Sequence, residues 1–351
     1  GSGGSGKAWD VGLDSSGNIY LLVHPGLQCV VKLDSSGNFV YFRQISNTYY
    51  NWGVTSQINS RGLWVDSSGS NLYICGQTTS TTASSLGVIS SVTQSGSTVN
   101  WSRTSGTASA TSTARCVTSD TSGNVYVGLG SSSFFGIVKY NSSGTIQWAR
   151  AGNVPLCAIT DASGNIYTGN VAGQVTVFNS SGTTLWATTY TMQQYDIALD
   201  SAGNVYVVGR INTVPSPSII MKYNSSGTFQ WAREFRVILS GTTIASIIYA
   251  VSIDNTNSRI CFTGGGTSAN NIESACPFFV AAFPTDGTGT GSYTIGSYTY
   301  SYAVYAASLQ SNITFTSTTV TPTNVSPTYT DTGLITGVGT NTISTTLTSF
   351  A

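Results

Sequence analysis

Short runs of alternating apolar and polar residues cover most of the chain, and turns rich in Gly, Ser and Asn separate them. One unit recurs: an apolar run that ends in Asp, a Ser/Gly/Asn turn, and an apolar run that contains Tyr, as in residues 13–20. The aspartates that mark this unit are Asp14, Asp66, Asp120, Asp161, Asp200 and, in a degraded copy, Asp254. The steps between them are 52, 54, 41, 39 and 54 residues, which fits one β-propeller blade per repeat.

Each repeat divides into four short strands with a period of two residues. In the third repeat, the clearest, the predicted strands are 115–119, 125–129, 136–140 and 145–150. The sequence therefore predicts an all-β fold, a β-propeller of six four-stranded blades over residues 7–296, with seven blades as the alternative. Residues 1–6 are either a linker or a native lead-in to the first strand.

The repeated aspartates are predicted to be structural turn residues. Their carboxylates can accept hydrogen bonds from backbone N–H groups two or three residues on, and the glycine takes the positive φ that closes the hairpin. A similar turn joins the third strand to the fourth, as in residues 34–37 and 141–144. Calcium is the alternative for spaced carboxylates, but each turn offers one acidic side chain where calcium needs several oxygens. We therefore expect no metal site.

A large aromatic residue follows the second turn at a nearly constant distance, at Tyr41, Trp101, Trp148, Trp186 and Trp231. These rings are predicted to pack between neighbouring blades, and a ligand-stacking ladder is the alternative. Basic residues stand two positions further on, at Arg43, Arg103, Arg150 and Arg233. We expect these arginines to extend along the blade edges and to oppose edge-to-edge aggregation.

Residues 297–351 form a tail rich in Ser and Thr, in which Asp331 is the only charged residue. A flexible low-complexity linker is one interpretation. The frequent β-branched and aromatic residues favour the other, an extended, β-prone tail that pairs with the propeller or docks to a partner subunit. We expect docking to a partner.

Charged residues make up only 7% of the chain, and 13 basic residues balance 13 acidic ones. No basic surface is therefore predicted for nucleic acid, and no apolar run is long enough to span a bilayer. The six cysteines show no zinc-ligand spacing. Buried thiols are expected, with a disulfide between Cys261 and Cys276 as the alternative.

Groups for catalysis are scarce. His24 is the only histidine, in a predicted turn, and Glu234 and Glu273 are the only glutamates. Asp10 and Asp196 stand four residues before Asp14 and Asp200, which indicates structural roles. We therefore predict no catalytic residues, no cofactor and no enzymatic activity, although the fold alone does not exclude a lyase or a dehydrogenase.

A binding site is predicted in residues 47–52, where aromatic and amide side chains concentrate between the first two blades. Tyr49, Tyr50 and Trp52 are the candidate residues, because aromatic rings with polar tips suit carbohydrate or protein recognition. The alternative is a loop that folds over the rim and buries its own rings.

The segments 14–20, 161–167 and 200–206, with the runs Asn-Ser-Ser-Gly-Thr-x-x-Trp-Ala-Arg at 141–150 and 224–233, resemble the bacterial β-propeller repeat known as SBBP, which is related to NHL repeats. Residues 283–296 and the tail resemble the ends of virion structural proteins of marine bacteriophages, especially cyanophages. The resemblance implies decoration, tail-fibre or adsorption parts of a virion.

Together these features predict a non-enzymatic virion structural or adsorption protein, assembled in the host cytoplasm. Its partners would be other virion or surface proteins bound through the rim or the tail, and a host-surface glycan is a further candidate. The alternative is a secreted or cell-surface bacterial propeller that binds glycans.

Overall fold

The computed structural model describes residues 7–24, 29–44, 62–66, 68–77, 87–96, 98–105, 112–131, 135–213, 215–267, 278–295, 298–305, 310–311, 316–317 and 323–324. All regular elements in these ranges are β-strands. No helix in this part of the chain has the length and apolar character to cross a membrane.

The first three blades follow the predicted order of strands. Blade one contains β1 Lys7–Leu13, β2 Ile19–His24, β3 Cys29–Leu33 and β4 Phe39–Gln44. Blade two contains β5 Leu63–Val65, β6 Asn71–Gln77, β7 Gly87–Thr93 and β8 Val99–Ser105. Blade three contains β9 Ser112–Ser119, β10 Val125–Ser131, β11 Phe135–Tyr140 and β12 Ile146–Ala151.

The next blades continue the series, and the last one changes it. Blade four contains β13 Pro155–Thr160, β14 Ile166–Asn170, β15 Gln174–Phe178 and β16 Thr184–Thr189. Blade five contains β17 Gln193–Leu199, β18 Val205–Arg210, β19 Ser218–Tyr223 and β20 Phe229–Leu239. Blade six contains β21 Thr242–Asp254, β22 Arg259–Thr267 and β23 Phe278–Pro284. Five strands follow: β24 Gly291–Ile295, β25 Tyr298–Val304, β26 Gln310–Ser311, β27 Thr316–Ser317 and β28 Thr323–Asn324.

Within each blade the strands pair antiparallel in chain order, which is the meander of a propeller blade. The first strand of each blade packs against the first strand of the next, from β1 through β5, β9, β13 and β17 to β21. The first strands therefore lie innermost and the fourth strands at the rim. The predicted fold class, an all-β propeller built from repeated four-stranded blades, is confirmed.

Blade six differs from the others in its fourth strand. β24 comes after β23 in the chain, but it pairs with β25 and not with β23. β25 in turn pairs along its whole length with β20 of blade five. Among the described residues, blade six therefore has three strands. Its degraded sequence repeat indicated irregularity but did not show that the fourth strand is lost to the neighbouring blade.

Large side chains fill the spaces between blades. Trp101 and Ile89 of blade two, for example, form one cluster with Val117, Val127 and Val138 of blade three. Similar clusters lie between blades one and two, three and four, four and five, and five and six. Because alternate side chains point to opposite faces of a strand, each blade uses one face for the preceding blade and the other for the following blade.

Four cysteine thiols are buried in this packing: Cys29, Cys75, Cys116 and Cys157. Burial raises the pKa of Cys29 to about 11, as expected for a thiol removed from water. Cys261 is a half-buried thiol. Cys276, the partner considered for it, lies outside the described residues, so that disulfide stays a prediction.

Candidate functional site

The first repeated feature is the turn between the first and second strands of a blade. In blade one, Oδ1 of Asp14 accepts hydrogen bonds from the backbone N–H groups of Ser16 and Asn18, both at 2.9 Å. Its Oδ2 accepts bonds from the Asn18 amide and the Tyr20 hydroxyl, at 2.8 and 3.0 Å. Burial raises the pKa of Asp14, but these hydrogen bonds outweigh it and the pKa lies below its ordinary value. Nε2 of Gln94, in the second turn of blade two, also donates to Oδ2 at 2.5 Å, so the carboxylate is occupied by its own turn and by the next blade.

The same geometry recurs in blades three, four and five. Asp120, Asp161 and Asp200 each accept a hydrogen bond from a tyrosine hydroxyl at 3.0 to 3.1 Å and another from an asparagine side-chain amide at 2.7 to 2.8 Å. In blade two, Asp66 accepts the amide of Asn71 at 2.9 Å, and in blade six Asp254 accepts that of Asn257 at 2.7 Å. In the described ranges, no cluster of three or more His, Cys, Asp or Glu residues could hold a metal ion.

The second repeated feature, here called the clasp, joins the fourth strand of one blade to the second turn of the next. The indole of Trp101 lies flat on Gly144, and its Nε1 donates to the Ser142 carbonyl at 2.8 Å. Arg103 packs its guanidinium over the Trp101 ring, 5.7 Å from the centroid, and its Nε donates to the Gly144 carbonyl at 2.7 Å. The clasp thus holds blade three to blade two.

Equivalent clasps lie at the other interfaces. Trp148 and Arg150 hold the turn at Gly182, with Arg150 Nε 2.6 Å from the Gly182 carbonyl. Trp231 and Arg233 hold the turn at Gly287, with Arg233 Nε 2.7 Å from its carbonyl. Tyr41 donates to the Gln94 carbonyl at 2.6 Å, and Trp186 donates to the Ser225 carbonyl at 3.2 Å. The expectation that the arginines extend along the blade edges and oppose aggregation there is therefore wrong for Arg103, Arg150 and Arg233, whose guanidinium groups bind the next blade.

A third contact runs nearer the axis. Lys139 lies over the Tyr126 ring and donates to the Ser180 carbonyl of blade four at 2.9 Å. Lys222 lies over Tyr206 and donates to the Thr285 carbonyl of blade six at 3.1 Å. Each lysine therefore crosses an interface.

The innermost strands are linked by aspartates at a β-bulge. Oδ2 of Asp10 accepts from the Leu63 N–H of blade two at 3.0 Å, and Oδ2 of Asp196 accepts from the Val251 N–H of blade six at 2.7 Å. A cavity of about 110 Å³ lies among the first strands of blades one to four, with Asp10, Trp64 and Cys116 in its walls. Asp10 is therefore bonded to blade two from the wall of this cavity.

The two ends of the blade series present exposed apolar residues. Val11 is 58% exposed, whereas the residues at the same position in blades two, three, five and six, Leu63, Val117, Ile197 and Val251, are 3 to 8% exposed. On the same face of blade one, Leu13 and Phe39 lie at the two ends of one cross-strand row and are also exposed. This face is defined by Val11, Leu13 and Phe39. In each later blade, the equivalent face packs against the preceding blade. We call the exposed face of blade one the leading face.

The clasp turn of blade one shows that the leading face is exposed there as well. Gly37 is the blade-one counterpart of Gly96, Gly144, Gly182, Gly227 and Gly287, and each of those five lies against an aromatic ring of the preceding blade. A β-carbon at Gly37 would have no atom of the described residues within 4 Å. The turn of blade one is therefore built like the others, but no described residue covers it.

The opposite face of blade six is exposed in the same way. Val280 is 81% exposed, whereas its counterparts Val30, Ile89, Ile137, Val175 and Ile220 are at most 2% exposed. Phe278, on the same face of β23, is also exposed. We call this surface, defined by Phe278 and Val280, the trailing face.

The binding residues predicted from sequence, Tyr49, Tyr50 and Trp52, lie outside the described residues, so that site stays a prediction. The leading and trailing faces were missed by sequence reasoning, because their residues match the buried residues of the other blades. The available signal was the position of these residues in the first and last blades, which each have a neighbouring blade in the sequence on one side only.

No protein-family model matches the chain, and no curated protein sequence matches it. Among solved structures, the fold is similar to the C-terminal WD40 domain of Sif2, at 11% identity and a TM-score of 0.49, over 79% of this chain and 70% of that one. It is also similar to a protein of unknown function from Bacteroides caccae, at 12% identity and a TM-score of 0.45, over 65% of this chain and 81% of that one.

Proposed function

We propose that this protein is a non-enzymatic structural subunit that binds further subunits through its end blades, the trailing face of one copy against the leading face of the next. The observation that carries the proposal is the exposure of Val11 and Val280 at positions that are buried in other blades. Apolar area in water costs roughly 25 cal/mol per Å². A partner that covers both faces gains the same kind of stabilisation that the blades obtain from one another.

A second copy is the occupant that the chemistry favours. Every interface within the chain joins the following face of one blade to the preceding face of the next, and the two exposed surfaces are the missing halves of one such interface. Contact between different faces of identical subunits is heterologous, and it produces rings or filaments. Such assemblies suit a structural protein.

The finer assignment is to a virion structural or adsorption protein that acts in the assembled particle. Its support is the resemblance of residues 283–296 and of the Ser/Thr-rich tail to virion proteins, together with the low charge of the chain. Mass spectrometry of purified virions tests this assignment. Absence of the protein from the particles would refute the virion role and leave subunit docking to be judged separately.

Sedimentation velocity of the full chain over a range of concentrations tests the docking. We expect self-association of the native protein and a loss of affinity of roughly tenfold or more for Val11→Asp or Val280→Asp, since burying an unpaired carboxylate is costly. Val171→Asp, which alters an exposed valine in a turn of blade four, is the matched control and should associate like the native protein.

Mixing the two variants distinguishes docking between copies from closure within one chain. Val11→Asp keeps an intact trailing face and Val280→Asp an intact leading face, so an equimolar mixture should form dimers and nothing larger. A mixture that stays monomeric, with each variant unfolding at a lower denaturant concentration than the control, would mean that the faces meet within one chain. That result would overturn the proposal.

A further inference from the structure

The described C-terminal segments pair with the rim of the propeller, which is one of the two arrangements predicted for the tail; docking of the tail to a partner subunit stays a prediction. β25 pairs with β20 of blade five and β26 with β16 of blade four. β27 then pairs with β12 of blade three, and β28 with β8 of blade two. The chain therefore returns past the blades in reverse order and adds an outer strand to each.

The register of these pairs is the same in all four blades, two to five. The tail residues Val304, Ser311, Ser317 and Asn324 lie opposite Arg233, Thr188, Arg150 and Arg103. Each of those blade residues stands two positions after the aromatic residue of its clasp. The steps between the tail residues are 7, 6 and 7. A regular step shows that the tail is matched to the spacing of the blades, since six or seven extended residues span roughly 20 to 23 Å.

Blade one is the next in this direction. Within the described part of the chain, β4 pairs with β3 alone. An unpaired edge presents a row of N–H and C=O groups that can accept a further strand. The residue of β4 that is equivalent to Arg103 is Arg43, two positions after Tyr41.

A further step of seven residues from Asn324 leads to Asp331. This aspartate is the only charged residue of the tail, and a step of the same length would bring it opposite the arginine of blade one. Residues 328–330, Thr-Tyr-Thr, are of types common in strands, and Pro327 precedes them where a strand can begin. Opposite charges directly across an antiparallel pair are favourable.

We propose that residues 328–331 of the same chain bind the outer edge of β4, with Asp331 opposite Arg43. The rim is then a continuous docking surface for the tail from blade five to blade one. The occupant of the β4 edge is this chain's own tail, because the four described pairs approach that edge in order and the chain extends beyond them to residue 351. The inference concerns the rim and is independent of the end-face docking proposed above.

Disulfide trapping in the full chain tests the register. Arg43→Cys combined with Asp331→Cys should form an intramolecular disulfide under mild oxidation, since opposed residues in a sheet lie within the Cα separation that a disulfide allows. Arg103→Cys with Asn324→Cys, a described pair, is the positive control, and Arg43→Cys with Thr340→Cys is the register control. Peptide mass spectrometry separates the new bond from any involving the native cysteines.

Formation of the 43–331 link to at least ten times the extent of the 43–340 link supports the proposal. Equal trapping of the two pairs, or a 43–331 link found only between chains, would overturn it; the latter would assign the edge to a second copy's tail. Hydrogen exchange gives a test that needs no cysteine. Ending the chain after Ser326 should speed exchange of outward β4 amides at least tenfold and leave β8 unchanged, whereas unchanged β4 exchange would refute the docking.

Discussion

Gly144→Ala is the sharpest test of the clasp between blades. Gly144 has a φ of 74°, and a β-carbon there would lie 2.5 Å from Cδ2 of Trp101 and 2.8 Å from its Cγ. Carbon atoms do not approach this closely, so the indole or the turn must move. Movement of the indole would also lengthen its 2.8 Å hydrogen bond to the Ser142 carbonyl.

The magnitude follows from three contributions. An alanine in the left-handed region costs about 1–2 kcal/mol. Overpacking against a buried ring costs about 1–3 kcal/mol, and a weakened hydrogen bond adds up to about 1 kcal/mol. We therefore expect the free energy of unfolding to fall by about 2–6 kcal/mol.

Gly37→Ala is the matched control, because Gly37 occupies the same turn position with a φ of 83° and no described atom lies within 4 Å of the added carbon. It should cost only the conformational term, about 1–2 kcal/mol. Urea unfolding of both variants, followed by tryptophan fluorescence and by circular dichroism, gives the comparison. Equal losses in the two variants would show that the contact with Trp101 contributes nothing and would refute the clasp.

Three further predictions follow from the buried polar groups. Asp196→Ala should lower the free energy of unfolding by about 1–3 kcal/mol in urea titrations, because the buried Val251 N–H loses the carboxylate that it bonds at 2.7 Å; Asp196→Asn should lose less. Burial raises the pKa of Tyr73 and Tyr167 to about 12 from an ordinary 10.0, so the unfolded chain ionises first and stability should fall as pH rises above about 10; absorbance at 295 nm should show these phenols ionising only on unfolding. The pKa of Asp14 is lowered in the folded protein, so its carboxylate stabilises the fold at pH values above the ordinary carboxyl pKa, and this stabilisation is lost as the pH falls through the folded-state pKa. Asp14→Asn should therefore reduce the slope of the free energy of unfolding against pH below about pH 4.

The sequence predicts the blade repeat well because the groups that form each turn are close together in the chain. Every partner of Asp14 in its turn lies within six residues, so the spacing itself carries the geometry. The aromatic positions were also predictable as interblade contacts, since one residue type recurs at one blade position.

The interblade partners were not predictable in the same way. Arg150 meets the Gly182 carbonyl 32 residues away, and nothing in the local pattern distinguishes this role from a solvent-facing edge. The tail shows the same limit: its β-branched residues predicted strands, but which edges they join depends on the shape of the whole rim. Blade six shows it again, because β24 leaves its own blade to pair with β25, which lies on blade five.

A double substitution on the trailing face of blade six should increase the affinity of self-association. This prediction rests on the proposed end-face docking. In blades three and five, a tyrosine and a lysine on this side hold the next turn, through Lys139 to the Ser180 carbonyl and Lys222 to the Thr285 carbonyl. Register places Cys261 and Ala282 at these two positions in blade six.

If the next copy docks as blades do within the chain, the carbonyl that corresponds to Ser180 and Thr285 is that of Ser35, beside Gly37. The double variant Cys261→Tyr, Ala282→Lys should then tighten self-association by about tenfold, since one net hydrogen bond from a charged group contributes about 1.5 kcal/mol. Sedimentation velocity measures the change, and adding Val11→Asp should abolish it. Weaker association of the double variant would mean that the copies meet with another geometry. A blade-like interface places the Ser35 carbonyl where the introduced lysine can donate to it, whereas any other apolar contact would bury the charge of the lysine unpaired.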